Sequence, residues 1–236
     1  MATEQITPIS PSSSHSSPLS PEAADAAPLS ASRRTRLNRR KDRGRTDRAE
    51  LYAVLDAGLI CHLGIVVDGA PRVLPTAYGR LGDTLYLHGS TGATWARTRG
   101  EVCVTVTHVD GIVLARGIAH HSMNYRSAMI YGTPRLVTDP EEKLTGLRAL
   151  TEQLAPGQWA VARPPSKKEL AQTAVLALSL REASVKVRQG PPNDEEEDLA
   201  LPIWAGVLPL VTSWGAPIPD PRLAPDIPVP AHIAER

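Results

Sequence analysis

The chain has 236 residues and a formal net charge of +1, so its overall field favours neither nucleic acid nor a membrane as a partner. Its two cysteines, Cys61 and Cys103, lie in apolar runs without paired spacing, which indicates a reducing compartment rather than a disulfide-stapled secreted fold. No apolar run approaches the roughly 18 residues of a membrane-spanning helix, and no signal peptide is recognisable. Phenylalanine is absent, so smaller aliphatic residues must build the core, which suits a β-rich interior. We therefore expect a cytoplasmic, mainly β protein.

The first 46 residues differ in composition from the rest. Residues 1–32 are rich in Ser, Pro and Ala and bury too little apolar surface to offset the entropy of ordering, so we expect disorder. Residues 33–48 carry nine Arg or Lys against two Asp. This segment is either an arm for nucleic acid or another anionic surface, or a solvated linker that leads into a helix. The linker is favoured because no aromatic residues interleave the charges.

The short apolar runs that follow are separated by sequences typical of turns. A helix is predicted at 47–57, with Asp47 as its N-cap. Strands are predicted at 59–67, 71–80, 84–88, 101–109 and 112–119, and a short helix at 94–99. The strongest turn signals between the strands are Asp68-Gly69 and Asp110-Gly111. Closely spaced strands with tight turns predict an antiparallel sheet that closes into a barrel.

The remaining elements follow a long central strand region. Residues 116–137 are predicted as a strand that breaks at 120–124 and restarts at Tyr125. Helices are predicted from 138 to a stop at Pro156-Gly157 and from 164 to 172, and the last barrel strand at 174–187.

The barrel domain is expected to span 47–190, followed by an arm at 191–236. The acidic run 194–198 is predicted as an exposed loop. Residues 204–210, in the Pro-rich part of the arm, are expected to pack on the barrel or on a partner.

The loop at 89–93 has the composition of an anion cradle. Small residues let backbone N–H groups approach a phosphate, hydroxyls donate, and a helix start adds positive potential. Arg97 and Arg99 follow and can supply charge. The alternative is an ordinary surface turn that caps a helix. Because the loop matches neither a Walker nor a dinucleotide-fold motif, both interpretations stay open.

Two further stretches carry candidate ligand contacts. Pro75 cannot donate to a sheet ladder, so the backbone around it could meet a flat ligand; an edge-strand proline is the favoured alternative. The predicted break at 120–124 places a hydroxyl, an amide and a phenol close together, at Ser122, Asn124 and Tyr125, and Arg126 follows directly. Such large groups are unusual in a hairpin turn, so we interpret them as the lining of a site.

The seven histidines do not form a metal-binding pattern. His120 and His121 are adjacent and would point to opposite faces of a strand, and no carboxylate cluster accompanies His62, His88 or His108. No Gly-x-Ser-x-Gly elbow is present for a catalytic serine. We therefore predict neither a metal site nor Ser–His catalysis.

Three segments carry a resemblance to a known family: VLPTAYGRLGDTLYLHGST, VCVTVTHVDGIVLARG and HHSMNYRSAMIYG. They resemble the signature stretches of the pyridoxamine 5′-phosphate oxidase-like, FMN-binding split-barrel superfamily, and within it the flavin-nucleotide-binding or nitroimidazole-resistance-like branch. The resemblance covers residues 47–187, with a weaker match at 201–210. It implies a mainly β fold, a six-stranded antiparallel split β-barrel with short flanking helices, assembled as a homodimer.

The resemblance also implies FMN bound in clefts between the two subunits. The residues that would lie along the flavin ring are Leu74, Pro75, Thr76 and Tyr78. Those that would approach the ribityl chain and phosphate are His88, Ser90 and Thr91. Those that would close the cleft are Ser122, Asn124, Tyr125 and Arg126. Family members often have Ser followed by Arg or Lys where this chain has Ala93-Thr94, so the basic partner of the phosphate must come from Arg97, Arg99 or Arg126.

The function that follows is an FMN-dependent oxidoreductase acting on a small molecule, with a reduced nicotinamide as candidate electron donor. Tyr125 and His121 are the candidate proton donors. The tail lacks the Arg- and His-bearing motif of genuine pyridoxamine 5′-phosphate oxidases, so vitamin B6 synthesis is not expected. The alternatives are a carrier or sensor that holds flavin, or haem through His62, His120 or His121, and a deazaflavin-dependent reductase on the same barrel.

Overall fold

The computed structural model describes residues 28, 29, 32–93, 95 and 100–236. Within these residues ten strands form one antiparallel sheet in the order β1-β9-β6-β5-β2-β3-β4-β8-β7, and β10 pairs with β5. The strands are β1 Gly44–Arg45, β2 Ile60–Val67, β3 Ala70–Leu81, β4 Thr84–Ser90, β5 Val102–Leu114, β6 Ser122–Gly132, β7 Arg135–Leu136, β8 Thr173–Ser179, β9 Glu182–Arg188 and β10 Gly206–Pro209. The helices are α1 Arg48–Asp56, α2 Pro140–Leu154, α3 Gln158–Val161, α4 Lys167–Gln172 and α5 Ala231–Ala234. The predicted mainly β, antiparallel fold with short helices is confirmed.

Helix boundaries follow local signals in the sequence. Asp47 caps α1 by accepting a hydrogen bond from the backbone N–H of Ala49 at 2.8 Å. Leu51, on the inner face of α1, is fully buried. Asp139 caps α2 in the same way through the N–H of Glu142, and α4 begins at a reciprocal capping box. The sequence predicts these three helices, whereas the short helix predicted at 94–99 lies mostly outside the described residues.

β2 and β3 form the hairpin that Asp68-Gly69 predicts. Both turn residues have positive φ, 52° and 75°, as a two-residue turn of this kind requires. β3 then changes partner, because residues 70–77 pair with β2 whereas residues 78–81 pair with β4. Beyond that point residues 88–90 of β4 pair with β8 and with no other described strand. The sheet is therefore split between β3 and β4.

The prediction of a hairpin turn at Asp110-Gly111 is wrong. β5 runs as one strand from Val102 to Leu114, with a bulge between Val109 and Gly111. β5 keeps β6 on one side throughout, whereas its other neighbour changes from β2 to β10. The bulge absorbs one extra residue near this change of neighbour, so the Asp-Gly pair bends a continuous strand instead of ending it.

The prediction of a single last strand at 174–187 is also wrong. This stretch forms β8 and β9, which are separated at Leu180 and Arg181. β8 pairs with β4 and β7, whereas β9 pairs with β6 and β1. Leu180 is fully buried, so the apolar pattern continues through the corner. This break and the short strands β1, β7 and β10 account for ten strands where the family resemblance implies six.

Part of the predicted N-terminal tail packs against the barrel. β1 pairs with β9, with Gly44 opposite Lys186. Ser32 Oγ and Arg34 Nη2 each donate to a carboxylate oxygen of Glu182 at 2.6 Å. Arg34 also lies 4.9 Å from the centre of the Tyr131 ring. Most of the stretch for which disorder is predicted, residues 1–27, 30 and 31, lies outside the described residues.

The C-terminal segment runs along the outside of the barrel. β10 pairs with residues 111–114 of β5, although Trp204 just before it is 67 % exposed. At the end of the chain Arg236 lies 4.3 Å from the Trp214 ring and donates to the carbonyl of Leu154 at 2.7 Å. Among the described residues, no helix has both the length and the apolar character needed to cross a membrane.

The contact between Glu182 and the N-terminal segment predicts a pH dependence. Hydrogen bonds from Arg34 and Ser32 lower the pKa of Glu182 from 4.5 to about 2. Because the folded pKa is depressed, the ionised carboxylate stabilises the docked segment fully above pH 4.5 and loses this effect as the pH falls towards 2. We expect the side-chain carboxyl resonance of Glu182, followed by carbon-13 NMR, to titrate near pH 2 in the folded protein.

The control for this measurement is Arg34→Gln, which removes the main donor. In that variant the midpoint is expected to move up towards 4.5, the value for an unpaired carboxyl group. A wild-type midpoint already near 4.5 would show that the segment is not docked through Glu182.

Candidate functional site

The split between β3 and β4 is the candidate site. Its two walls are strand edges. The edge of β3 at 70–77 that faces away from β2, and the edge of β4 at 88–90 that faces β3, pair with no strand in the described part of the chain. In an antiparallel strand every second residue directs its N–H and C=O to one edge. The split therefore offers backbone donors and acceptors to a flat polar molecule, in the region that Pro75 indicates.

The β3 residues predicted to line a flavin ring fall into two groups. Leu74 and Thr76 are half-buried and Pro75 is exposed, so all three keep accessible surface. Tyr78 is fully buried, and its hydroxyl donates to the carbonyl of Leu55 at 2.5 Å. Burial raises the pKa of Tyr78. The Tyr78 side chain is therefore a core group and does not line the split, in contrast to the prediction.

Trp95 is a residue of this site that the sequence reasoning missed. Its indole ring is half-buried against the main core and lies on Gly89 of β4. A Cβ added to Gly89 would come within 2.4 Å of Cζ2 of Trp95. An isolated glycine inside a strand signals such a close approach, and Gly89 was the available clue.

The end of β4 opens into a pocket of about 570 Å³, lined by His88, Gly89, Ser90, Thr91, Gln172 and Thr173. Three backbone N–H groups of the loop at this end are already engaged. Thr91 N donates to Gln172 O at 3.0 Å, Ala93 N to Ser90 O at 2.9 Å, and Gly92 N to Ser90 Oγ at 3.2 Å. The anion cradle predicted at 89–93 therefore does not present these three N–H groups to a ligand. Arg97 and Arg99, the predicted charges, lie outside the described residues.

The β6 groups do not cluster at a turn as predicted. Ser122 to Tyr125 belong to the strand itself, and the irregular stretch precedes it, with a 3-10 turn at Ile118–His120. Because side chains alternate along a strand, Tyr125 faces the opposite side of the sheet from Asn124. Asn124 is buried, accepts a hydrogen bond from Arg188 Nη1 through Oδ1, and donates to Gly190 O at 3.3 Å. Its amide is a structural link between β6 and the end of β9.

Arg126 is held by an acidic partner on the neighbouring strand. Its Nε donates to Oδ2 of Asp110 at 3.0 Å and its Nη2 to Oδ1 at 2.9 Å. Both side chains are about one-third exposed. Asp110 lies at the β5 bulge, which explains its position beside Arg126. The guanidinium predicted to bind a phosphate is therefore neutralised within the chain.

The 3-10 turn before β6 presents two histidines beside an exposed apolar side chain. His121 Nδ1 lies 3.2 Å from the carbonyl oxygen of Gly117, which leaves Nε2 directed away from this bond. His120 Nε2 lies 3.8 Å from Glu195. Ile118 is 91 % exposed. Asp194 anchors the residues just before this turn. Its buried carboxylate accepts hydrogen bonds from the backbone N–H and from the guanidinium of Arg116.

His62 lies on the outer face of the sheet. It is exposed on β2, between Pro75 of β3 and Thr105 of β5. The apolar side chains on the same face are also exposed: Ile60 (56 %), Val66 (63 %), Val73 (66 %) and Met129 (37 %). This face is an apolar surface with one imidazole near its centre.

A single chain brings together only part of the predicted site. The β3 and β4 residues flank the split. β6 is separated from β3 by β5 and β2, which is about 14 Å along the sheet at the usual strand spacing. Ser122, Asn124, Tyr125 and Arg126 therefore do not line the same split within one chain.

A barrel whose sheet opens between two unpaired strand edges defines the split-barrel class of proteins. The family model described as pyridoxamine 5′-phosphate oxidase matches residues 47–187. Because this match covers more than half of the chain, the chain belongs to this family. The resemblance of the three sequence segments is thereby confirmed.

Two solved structures match over most of the chain. The flavocytochrome Anf3 from Azotobacter vinelandii is 41 % identical, covers 86 % of this chain and 96 % of its own, and superposes with a TM-score of 0.82. The FAD and heme binding protein from Mycobacterium smegmatis is 39 % identical, covers 82 % and 96 %, and has a TM-score of 0.78. A protein named for 5-nitroimidazole antibiotic resistance, from Bacteroides thetaiotaomicron, is 24 % identical over 61 % and 86 %, and its TM-score of 0.52 shows the shared fold alone. A search of the curated proteins finds no match.

The contact between Gly89 and Trp95 can be tested by adding one methyl group. Gly89→Ala is expected to displace the indole ring and to destabilise the fold by roughly 1–3 kcal/mol, the usual cost of overpacking. Gly92→Ala is the matched control, because a Cβ there would meet only Ser90 Oγ at an ordinary 3.6 Å. Urea denaturation, with tryptophan emission as the signal, measures both. Equal midpoints for the two variants would contradict the contact.

Proposed function

We propose that this chain is a flavin-binding redox protein that holds the flat ring of a flavin in the split between β3 and β4. The observation that carries the proposal is the pair of unpaired strand edges. They supply N–H and C=O groups, and Leu74 and Trp95 supply apolar surface beside them. The names of two relatives at about 40 % identity, a flavocytochrome and an FAD- and haem-binding protein, support the same ligand class.

The proposed form of the flavin is FAD. The resemblance to the family implies FMN, but the name of the Mycobacterium smegmatis relative specifies FAD. When bound, the flavin would supply hydride or single-electron transfer, and the protein would supply position and electrostatics. Backbone groups of β3 would orient the ring, and Trp95 would shield one end of the split from water. Tyr125 and His121 stay predicted proton donors.

The proposed assembly is a homodimer. Two strands, β5 and β2, separate the polar groups of β6 from the split within one chain, so these groups would line a split only if it belonged to a second copy. The exposed apolar face around His62 offers the surface for such a contact. In this arrangement Ser122 and Arg126 of one subunit would close the cleft of the other.

Visible absorption of the purified protein tests the proposal directly. Bound flavin gives two bands in the near-ultraviolet and blue, and chromatography of the released cofactor distinguishes FAD from FMN. Anaerobic bleaching by a reduced nicotinamide would mark an oxidoreductase, whereas a flavin that stays oxidised would mark a carrier. The proposal fails if the flavin-free protein binds neither FAD nor FMN in a fluorescence titration.

The role of Arg126 is tested by changing each member of its ion pair. If Arg126 binds the phosphate of a flavin, Arg126→Ala should weaken flavin binding by roughly 2–5 kcal/mol. Asp110→Asn frees the same guanidinium from its internal partner and should retain the flavin or bind it more tightly. Equal losses in both variants would mean that the pair matters only for the structure of β5 and β6.

A second cofactor, haem, is favoured by the geometry of the His121 turn. The hydrogen bond between Nδ1 and Gly117 O would fix the ring and leave Nε2 for iron, the arrangement usual for a ligating histidine. The exposed Ile118 would provide an apolar contact for the porphyrin. Bound haem would supply single-electron transfer, and His121 would hold it in place. His62, on the apolar outer face, is the second candidate ligand.

Haem binding is expected to depend on His121 and not on its neighbour. Protein supplied with haemin should show an intense Soret band that His121→Ala loses and His120→Ala, the adjacent control, retains. His62→Ala measures the contribution of the outer face. Loss of the band in His120→Ala alone would contradict the assignment. A wild-type protein without the band would remove haem and leave the flavin proposal standing.

A further inference from the structure

The end of strand β9 carries a buried cation outside the proposed flavin split. Arg188 is 9 % exposed. Its Nη1 donates to Oδ1 of Asn124 and, at 3.1 Å, to Gly190 O, and its Nη2 donates to Pro191 O at 3.0 Å. All of these acceptors are uncharged. They orient the guanidinium without neutralising it.

Arg188 differs in this respect from other arginines of the barrel. Three of these have carboxylate partners: Arg48 with Asp83 (3.0 Å), Arg116 with Asp194 (2.9 Å) and Arg126 with Asp110 (2.9 Å). Over the part of the chain that the structure describes, no carboxylate oxygen lies within 4.0 Å of the Arg188 guanidinium. A buried charge without a counter-ion is unfavourable, so an external anion is the expected partner.

The surroundings of Arg188 add positive charge. Burial, together with the charges of Arg43 and Arg40, lowers the pKa of Arg188. Both neighbours belong to the 3-10 turn at Lys41–Arg43 or directly precede it. β1 follows the turn and pairs with β9, which brings the turn to the end of β9. Neither Arg40 nor Arg43 has a carboxylate within 4.0 Å among the described residues.

The backbone of this turn is also unusual. Arg40 has φ 51° and ψ 54°, a left-handed conformation that non-glycine residues rarely adopt. The turn is closed by a hydrogen bond from Arg43 N to Arg40 O at 3.0 Å. Strained residues of this kind cluster at active sites, ligand clamps and switch regions.

A solvated linker, the interpretation favoured by the sequence, accounts for only part of these observations. Arg40 is exposed and Arg43 half-buried, so water and salt can screen both. Screening of this kind does not reach Arg188, which is nine-tenths buried. The linker interpretation also provides no reason for three guanidinium groups to gather at one strand end.

We propose that Arg188, Arg43 and Arg40 form a phosphoryl-binding site whose ligand is the diphosphate group of a nucleotide. A guanidinium binds phosphate oxygens through paired N–H donors, and a diphosphate carries enough negative charge to balance several cations. Two sources share this chemistry: the diphosphate of a flavin dinucleotide held by this protein, and a separate nucleotide. The site stands on the charges and contacts of these residues and does not require the flavin proposal to hold.

The test uses the full chain and inorganic pyrophosphate, titrated by calorimetry at low ionic strength. The wild type is expected to bind pyrophosphate saturably. Arg43→Gln and Arg40→Gln should each weaken binding by about tenfold or more, because each removes one charged partner of the anion.

The matched control is Arg39→Gln. It removes the same charge from the same segment, but Arg39 is exposed and is not among the groups that act on Arg188. The Arg39→Gln variant should bind pyrophosphate with the same affinity as the wild type. Absence of saturable binding in the wild type, or an equal loss in Arg39→Gln, would overturn the site.

Arg188 is tested by a variant that keeps its charge. Arg188→Lys removes the planar pair of donors and should lower the affinity for pyrophosphate, with folding checked by circular dichroism. If Arg188→Lys does not fold, the outcome of the Arg40 and Arg43 variants decides the proposal. A folded Arg188→Lys protein that binds as tightly as the wild type would contradict the role of Arg188.

Competition on the flavin-free protein then identifies the source of the diphosphate. Displacement of pyrophosphate by FAD and not by FMN assigns the site to the dinucleotide, whereas displacement by ADP and not by FAD assigns it to a separate nucleotide. Both results support the site. If the protein binds no flavin at all, the pyrophosphate titration still stands, so the two proposals fail independently.

Discussion

The change of partner along β3 is the constraint on which the rest of the structure depends. Two close approaches fix it where β3 passes from β2 to β4. Tyr78 is fully buried and bonded to Leu55 O, and a Cβ at Gly79 would lie 2.3 Å from the backbone of Ala149 in α2. α2 therefore lies directly on the strand at this point. The open edges of the split result from core packing, so a flat ligand would enter a cleft that the fold has already formed.

Electrostatics distinguishes Arg188 from three other arginines of the barrel. Arg48, Arg116 and Arg126 are paired with acidic side chains, so their charges mainly join one element of the fold to another. Arg188 is oriented by uncharged acceptors and has further cations beside it. The loop at the end of β4 has small residues and hydroxyls, but three of its N–H groups bond within the chain. Within the described part of the chain, guanidinium groups that lack a carboxylate partner are thus found together at the end of β9.

Much of the secondary structure is predictable because its signals are local. Asp47 and Asp139 cap helices, and Asp68-Gly69 closes a hairpin with the φ values that the turn needs. The errors arise where the pattern depends on neighbours. Asp110-Gly111 has a turn composition, yet β6 stays paired across it and a bulge forms instead. The sequence carries no turn signal at the corner between β8 and β9. Leu180 at this corner is apolar and as buried as the strand residues around it, so the strand pattern continues through the corner.

The sequence by itself determined the family, the alternation of apolar residues that builds an antiparallel barrel, and the segments from which a site would be drawn. Those features are carried by residue type and short-range spacing. Only the tertiary structure decided which groups of those segments are available. It buried Tyr78, neutralised Arg126 with Asp110, laid Trp95 on Gly89, and left Arg188 without an acidic partner in the described chain. The physical reason is that burial and ion pairing depend on which strands become neighbours, and that choice is made by packing across the whole barrel.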